Sequence, residues 1–258
     1  MPIYPKIALE LGIVAALLLL ERLRPASAVQ RGEWANNIVV LSLMLLGRIV
    51  LSPLIAVSES GLMSAAGGGL IDLGAWPPVL GAATYLAAMD LGEYAFHRAQ
   101  HAFPWLWSMH SLHHSDRGMN VSTSQRHFWL DPAMKSVSVW LAVGLLFKAD
   151  GTILTVYFLA SLYHLFTHTN VAIGFGPLSW LWNSPQYHRL HHSRDPAHFN
   201  ANFAALLPIY DVIFGGYRRP AAGEYPDTGL DDEAVRSPLE LAVWPVRGRG
   251  GRAPASNP

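Results

Sequence analysis

Cysteine is absent from the 258-residue chain. That excludes disulfides, thiolate metal sites and a cysteine nucleophile together. Any metal must be held through nitrogen or oxygen. Charge is scarce as well. Only 14% of residues are charged, against about 25% in ordinary soluble domains. Basic and acidic residues balance at 18 each, and no basic tract is present to engage nucleic acid. Such a chain has little with which to clothe a water-facing surface, whereas 51% of it is hydrophobic, with nine Trp and nine Tyr.

The apolar residues gather in runs at 7–20, 36–57, 79–101, 133–147 and 152–168. A bilayer core takes about 20 helical residues to cross, so the second and third runs can span, and the first can with its ends included. The last two are shorter and flank a tight KADG, which reads as an apolar helical hairpin dipping into the bilayer. The sequence therefore predicts an all-α integral membrane protein with about four membrane-embedded helical segments, counting the hairpin. The competing reading is a large soluble helical bundle. Ala26-Ser27-Ala28 mimics a signal-peptidase site, but Glu21, Arg22 and Arg24 lie before it, where an uncharged stretch belongs. The first helix is expected to be retained. Three regions follow: N-terminal helices and linker (1–78), a histidine-rich membrane domain (79–218) and a partly disordered C-terminal tail (219–258).

Arg22, Arg24 and Arg31 follow the first run, and no Lys or Arg lies between Arg48 and Arg98. Arg98, Arg117, Arg126 and Lys135 crowd the next loop, and Arg189, Arg194, Arg218 and Arg219 follow the hairpin. The positive-inside rule puts the Gly-rich stretch 64–78 and the hairpin tip outside. Everything else after His97 falls inside, as expected in a bacterial inner membrane.

All twelve histidines lie on that inner side, and ten of them fall into four spaced groups. H-x-x-H-H occurs twice, as His110, His113, His114 and as His188, His191, His192. H-x-x-x-H also occurs twice, as His97 with His101 and as His164 with His168. Spacings of three and four stack side chains on one helical face. Ten buried imidazoles without partners are costly, and coordination of a metal removes that cost. Ten ligands exceed the four of a zinc site, which implies two metals forming a dinuclear site under a cytoplasmic-side helical cap. Imidazole suits Fe, Zn, Cu and Ni. The zinc-protease pattern H-E-x-x-H is absent, and paired histidines for haem would leave most of the set unexplained. Iron with open positions fits a buried site beside lipid. His127 and His198 have no histidine at helical spacing and are expected to be bystanders.

Asp90 lies on the helical face of His97, and a carboxylate in an apolar run is costly without a purpose. It is expected to orient a ligating imidazole. Asp116 and Asp195 trail the clusters, either as further carboxylates that orient imidazoles or as caps and loop residues. Arg126 and Asn170 are candidates for supporting the metal site or meeting lipid headgroups. Trp105, Trp107, Trp180 and Trp182 suggest an interfacial belt.

The strings HRAQH, HSLHHSDRGMNVSTSQRH, THTN, NSPQYHRLHHSRD and IYDVIFGGY, in that order, resemble the fatty acid hydroxylase/sterol desaturase superfamily over residues 90–217. The chain departs from the commoner Asn-Tyr-Gly and Trp-Asp at Asn202-Phe203-Ala204 and Tyr210-Asp211. The resemblance implies a membrane di-iron oxygenase that hydroxylates or desaturates a lipid C–H bond with O2. It also implies that His97, His101, His110, His113, His114, His164, His168, His188, His191 and His192 hold two Fe ions, with Zn able to replace them on overexpression. Electrons are expected from a separate electron-transfer protein or reductase. Sterol, fatty acyl, carotenoid and alkyl ether substrates remain open, and no substrate-binding residue is assigned. The alternative from another class is a membrane metal transporter or sensor.

Overall fold

A computed structural model describes residues 3–28, 31–230 and 237–247. Its long helices come first: α1 (Ile3–Leu23), α2 (Arg31–Ala65), α3 (Pro78–Ala102) and α4 (Pro104–His114). Then α5 (Asp131–Lys135) runs through a π-helical turn (Ser136–Trp140) into α6 (Leu141–Leu146). The shorter α7 (Gly151–Ser161), α8 (Tyr163–Thr167), α9 (Pro185–His191), α10 (Ile209–Ile213) and α11 (Pro238–Ala242) complete the chain. Among the described residues the only sheet is a parallel pair, β1 (Ile71–Asp72) on β2 (Phe147–Lys148). The chain is mostly helical, as its apolar runs predict.

Proline and capping residues place the breaks. Pro78, Pro104 and Pro185 each open a helix, where a missing N–H and a fixed φ cost nothing. The Asp150 carboxylate accepts from Ile153 N at 2.8 Å and starts α7. The predicted hairpin is present, with α5 to α6 as one arm and α7 to α8 as the other. Its tip is pinned to the Gly-rich linker by the β1–β2 pair, which aligns Ile71 with Phe147 and Asp72 with Lys148. Gly69 is required there, because a Cβ would stand 2.3 Å from Lys148 N. Leu73, Tyr85, Met89, Val139, Val143 and Ile153 pack α3 against the hairpin.

Of the described helices one, over Glu33–Ala65, is long and apolar enough to cross a membrane, with a mean hydropathy of 2.4 in its most apolar window. Ile38, Leu45, Leu46, Ile49, Val50, Leu54 and Val57 on it are exposed. The segment from Gly151 to Thr167 is apolar but shorter. The four embedded segments of the sequence reading thus correspond to helices, of which α2 meets the length and composition of a span.

The ends of α1 and α2 are tied to the histidine-rich half by polar contacts. Glu21 Oε1 accepts from Val121 N at 2.7 Å and Asn170 N at 2.8 Å. Asn170 also holds Ser27 through its side chain. Arg126 is fully buried, paired with Glu33 at 2.7 Å and donating to Asn37, Ser115 and the Leu112 carbonyl. Asp116 accepts from Asn37, Gly118 and Thr123. Arg126 and Asn170 are therefore internal braces rather than headgroup contacts, since neither side chain reaches the surface.

Part of the C-terminal region is helical, with α11 followed by a turn at Trp244–Arg247. Leu241 and Trp244 are buried against Val40, Leu106, Met109 and Leu112, and Trp244 Nε1 donates to Ser111 at 2.9 Å. Before them, the main chain at Ala221 and Pro226 accepts hydrogen bonds from Gln186 and Arg189 on α9. Of the final stretch expected to be disordered, residues 247–258, all but Arg247 lie outside the described residues.

Candidate metal centre

Four helices deliver nine imidazoles from their C-terminal halves or caps: α3 (His97, His101), α4 (His110, His113, His114), α8 (His168) and α9 (His188, His191, His192). A helix C-terminus carries partial negative charge and favours a cation. The nine fall into two groups whose donor nitrogens lie within 4.8 Å of one another. One holds His97, His101, His110, His114 and His191, the other His113, His168, His188 and His192. The groups abut where His114 and His192 stack, with ring centroids 4.3 Å apart. All but the half-buried His97 are buried.

Nitrogens converge without conventional partners. Nε2 atoms face each other at 3.2 Å in His101–His114 and His113–His168, and at 3.0 Å in His168–His188 and His97–His191. His110 and His192 have no hydrogen bond to either ring nitrogen. In three rings Nδ1 is fixed by the main chain: His97 on the Phe203 carbonyl (2.7 Å), His191 on Ala201 (2.8 Å) and His168 on His164 (2.7 Å), whereas Nδ1 of His101, His113 and His188 has no hydrogen-bond partner. A donated Nδ1–H leaves the Nε2 lone pair directed at the centre, as ligating histidines require. Burial holds His110, His113, His114, His188, His191 and His192 well below the ordinary imidazole pKa, and neighbouring imidazoles push the same way. Neutral, converging, partnerless imidazoles are a donor set that fits metal ions.

His164 stands apart from both groups. Its Nδ1 is on the Ser161 carbonyl and its Nε2 lies 3.2 Å from the Gln125 amide nitrogen. Asp90 does not take up the place expected for it. Its carboxylate accepts from Leu206 N and Leu207 N, both at 3.0 Å, and main-chain carbonyls orient His97, His168 and His191 instead. Trp107 leaves the expected interfacial belt. It is buried and packs 4.9 Å from the His101 ring, whereas Trp105, Trp180 and Trp182 are exposed. Asp195 caps the turn at Ala197.

Of the two expected bystanders, His198 is held by Ser193 (2.8 Å) and Glu224 (3.3 Å). His127 lies closer to the centre, grouped with His110 and Asp131 and 3.5 Å from the Asp131 carboxylate. Sequence spacing gave no sign of that proximity, because His127 arrives on a separate loop. Nor could it identify the orienting groups at Ala201 and Phe203, since a carbonyl belongs to every residue type.

The fatty acid hydroxylase family model matches residues 82–216, and the chain belongs to that family. Among curated relatives it is similar to alkylglycerol monooxygenase of Xenopus tropicalis, 32% identical over half of this chain and 28% of that protein. It is also similar to the ornithine lipid hydroxylase OlsE of Rhizobium tropici, 28% identical over 68% of this chain and 53% of that protein. A very-long-chain aldehyde decarbonylase of Oryza sativa subsp. indica is 28% identical over 61% of this chain and 26% of that protein. The chain thus spans between about a quarter and a half of the length of these relatives. No solved structure matches it.

Proposed function

We propose that this protein is a membrane oxidoreductase that hydroxylates, or desaturates, a C–H bond of a lipid with O2 and two iron ions, drawing electrons from a separate reductase. The observation that carries this reading is the pair of abutting imidazole groups, five and four strong, at helix C-termini. Family membership and relatives named for lipid hydroxylation support it. His97, His101, His110, His114 and His191 would hold one ion. His113, His168, His188 and His192 would hold the other, with His164 as its fifth ligand. All-imidazole iron supplies the redox chemistry that activates O2 when bound.

The chain's own part is positioning. Carbonyls at Ala201, Phe203 and His164 fix the rings. Trp107 and Phe203 pack against His101 and keep water from that side. The exposed apolar surface of α2, with the scarcity of charge, supports a place in the bilayer, where the substrate is dissolved. In this reading the histidines face the cytoplasm, where reductants are found, and the membrane is a bacterial inner membrane.

The test is isotopic. Iron-loaded protein with a chemical or enzymatic reductant should transfer one atom of ¹⁸O from ¹⁸O2 into an extractable lipid. Desaturation would instead consume O2 and remove two hydrogens without label. A loaded, reduced protein that neither consumes O2 nor alters any lipid would contradict the proposal.

A further inference from the structure

His97 and His191 come from helices far apart in sequence, yet one loop orients both. Their Nδ1 atoms are on the Phe203 and Ala201 carbonyls, at 2.7 and 2.8 Å, and their Nε2 atoms stand 3.0 Å apart. Any shift of residues 201–203 therefore turns both rings.

That loop is clamped by two buried carboxylates, each accepting from two consecutive amides. Asp211, with no exposed surface, accepts from Phe203 N at 3.0 Å and Ala204 N at 2.8 Å. Asp90 accepts from Leu206 N and Leu207 N. Asp211 is itself fixed by Tyr187 OH at 2.8 Å. Tyr187 precedes His188 on α9, so the clamp touches a second part of the centre. Gly216 packs so closely that a Cβ there would stand 2.7 Å from Asp211 Oδ1. Asn200 and Asn202 turn the loop in the left-handed region, at φ 58° and 62°, which Asn tolerates better than most residues. Asn202 is locked by bonds with the main chain of Tyr187, Gly216 and Arg218. Buried carboxylates are costly without full hydrogen bonding, and here that bonding is spent on the amides of one loop.

We propose that Asp211 and Asp90 are positioning residues that set the geometry of the His97–His191 pair through the loop between them. The inference rests on the metal reading above and adds the parts of the chain that tune it. Ligand-orienting partners of this kind typically change metal affinity by about 10–100-fold when removed.

Cobalt(II) is the probe, because its visible bands report ligand geometry. Purified full-length protein and its Asp211→Asn, Asp90→Asn and Tyr187→Phe variants would be stripped and reloaded with cobalt, and affinity read by chelator competition. A carboxamide in place of the Asp211 carboxylate has a single accepting oxygen, so one loop amide loses its acceptor. Asp211→Asn should weaken the ion held by the His97 and His191 group by roughly 10–100-fold and shift its bands. Asp90→Asn and Tyr187→Phe should shift them less, in the same direction. If Asp211→Asn does not fold, the other two variants decide alone. Lower melting temperatures with unchanged bands and affinities would show a clamp that is merely structural and would overturn the inference. Wild-type protein that takes up no cobalt would overturn the metal reading itself, and this inference with it.

Discussion

His127 and His113 lie ring on ring, with centroids 4.5 Å apart and planes 13° apart. His127 turns its Nδ1 toward the Asp131 carboxylate, 3.5 Å away, and is expected to buttress a ligand rather than serve as one. His127→Ala should keep the full metal content and lose turnover only a few-fold. Elemental analysis beside a turnover assay checks this, and a lost ion would make His127 a ligand.

His164 shares the pose of the fixed ligands, with Nδ1 on a main-chain carbonyl and Nε2 accepting. The Gln125 amide faces that Nε2 at 3.2 Å. On loading, His164 should exchange that amide for the metal. His164→Ala should then lose about as much metal as His168→Ala, while His198→Ala loses none. Full metal and activity in His164→Ala would leave the second ion with four imidazoles.

The pH dependence has a definite sign. In the unfolded chain histidines protonate near pH 6.5, whereas burial holds the six H-x-x-H-H imidazoles well below that value when folded. Below about pH 6.5 the unfolded chain therefore binds more protons, and stability falls with pH. Metal-free protein should melt at steadily lower temperature as pH drops from 7 toward 5. A flat profile would mean these rings are not buried in the metal-free fold.

Arg126 and Glu33 form a buried pair that joins α2 to the loop after α4. Removing one partner of such a pair costs about 3–5 kcal/mol, because the other charge is left buried alone. Arg126→Ala should lower the melting temperature sharply, and Arg126→Ala with Glu33→Gln should recover part of the loss. Equal melting temperatures for wild type and Arg126→Ala would contradict the bracing role.

Much of this site is legible in the sequence, for a physical reason. Helical spacing alone brings His110 and His114, or His188 and His192, onto one face, and apolar runs betray the helices that carry them. What spacing does not carry is which separate faces meet. That is why His127 reads as isolated although its loop lays it on His113. The same limit hides Asp211, whose partners are amides of Phe203 and Ala204, and sends Asp90 to an imidazole when it binds Leu206 and Leu207. Composition does not mark the packing of Leu241 and Trp244 against Val40, Leu106, Met109 and Leu112 amid the surrounding Pro and Gly.

The central claim is a dinuclear centre, and counting metal tests it most directly. Protein purified gently from iron-supplemented cells should contain close to two metal ions per chain by elemental analysis, whether iron or zinc that has replaced it. One ion or none, in protein that still melts cooperatively, would contradict the account.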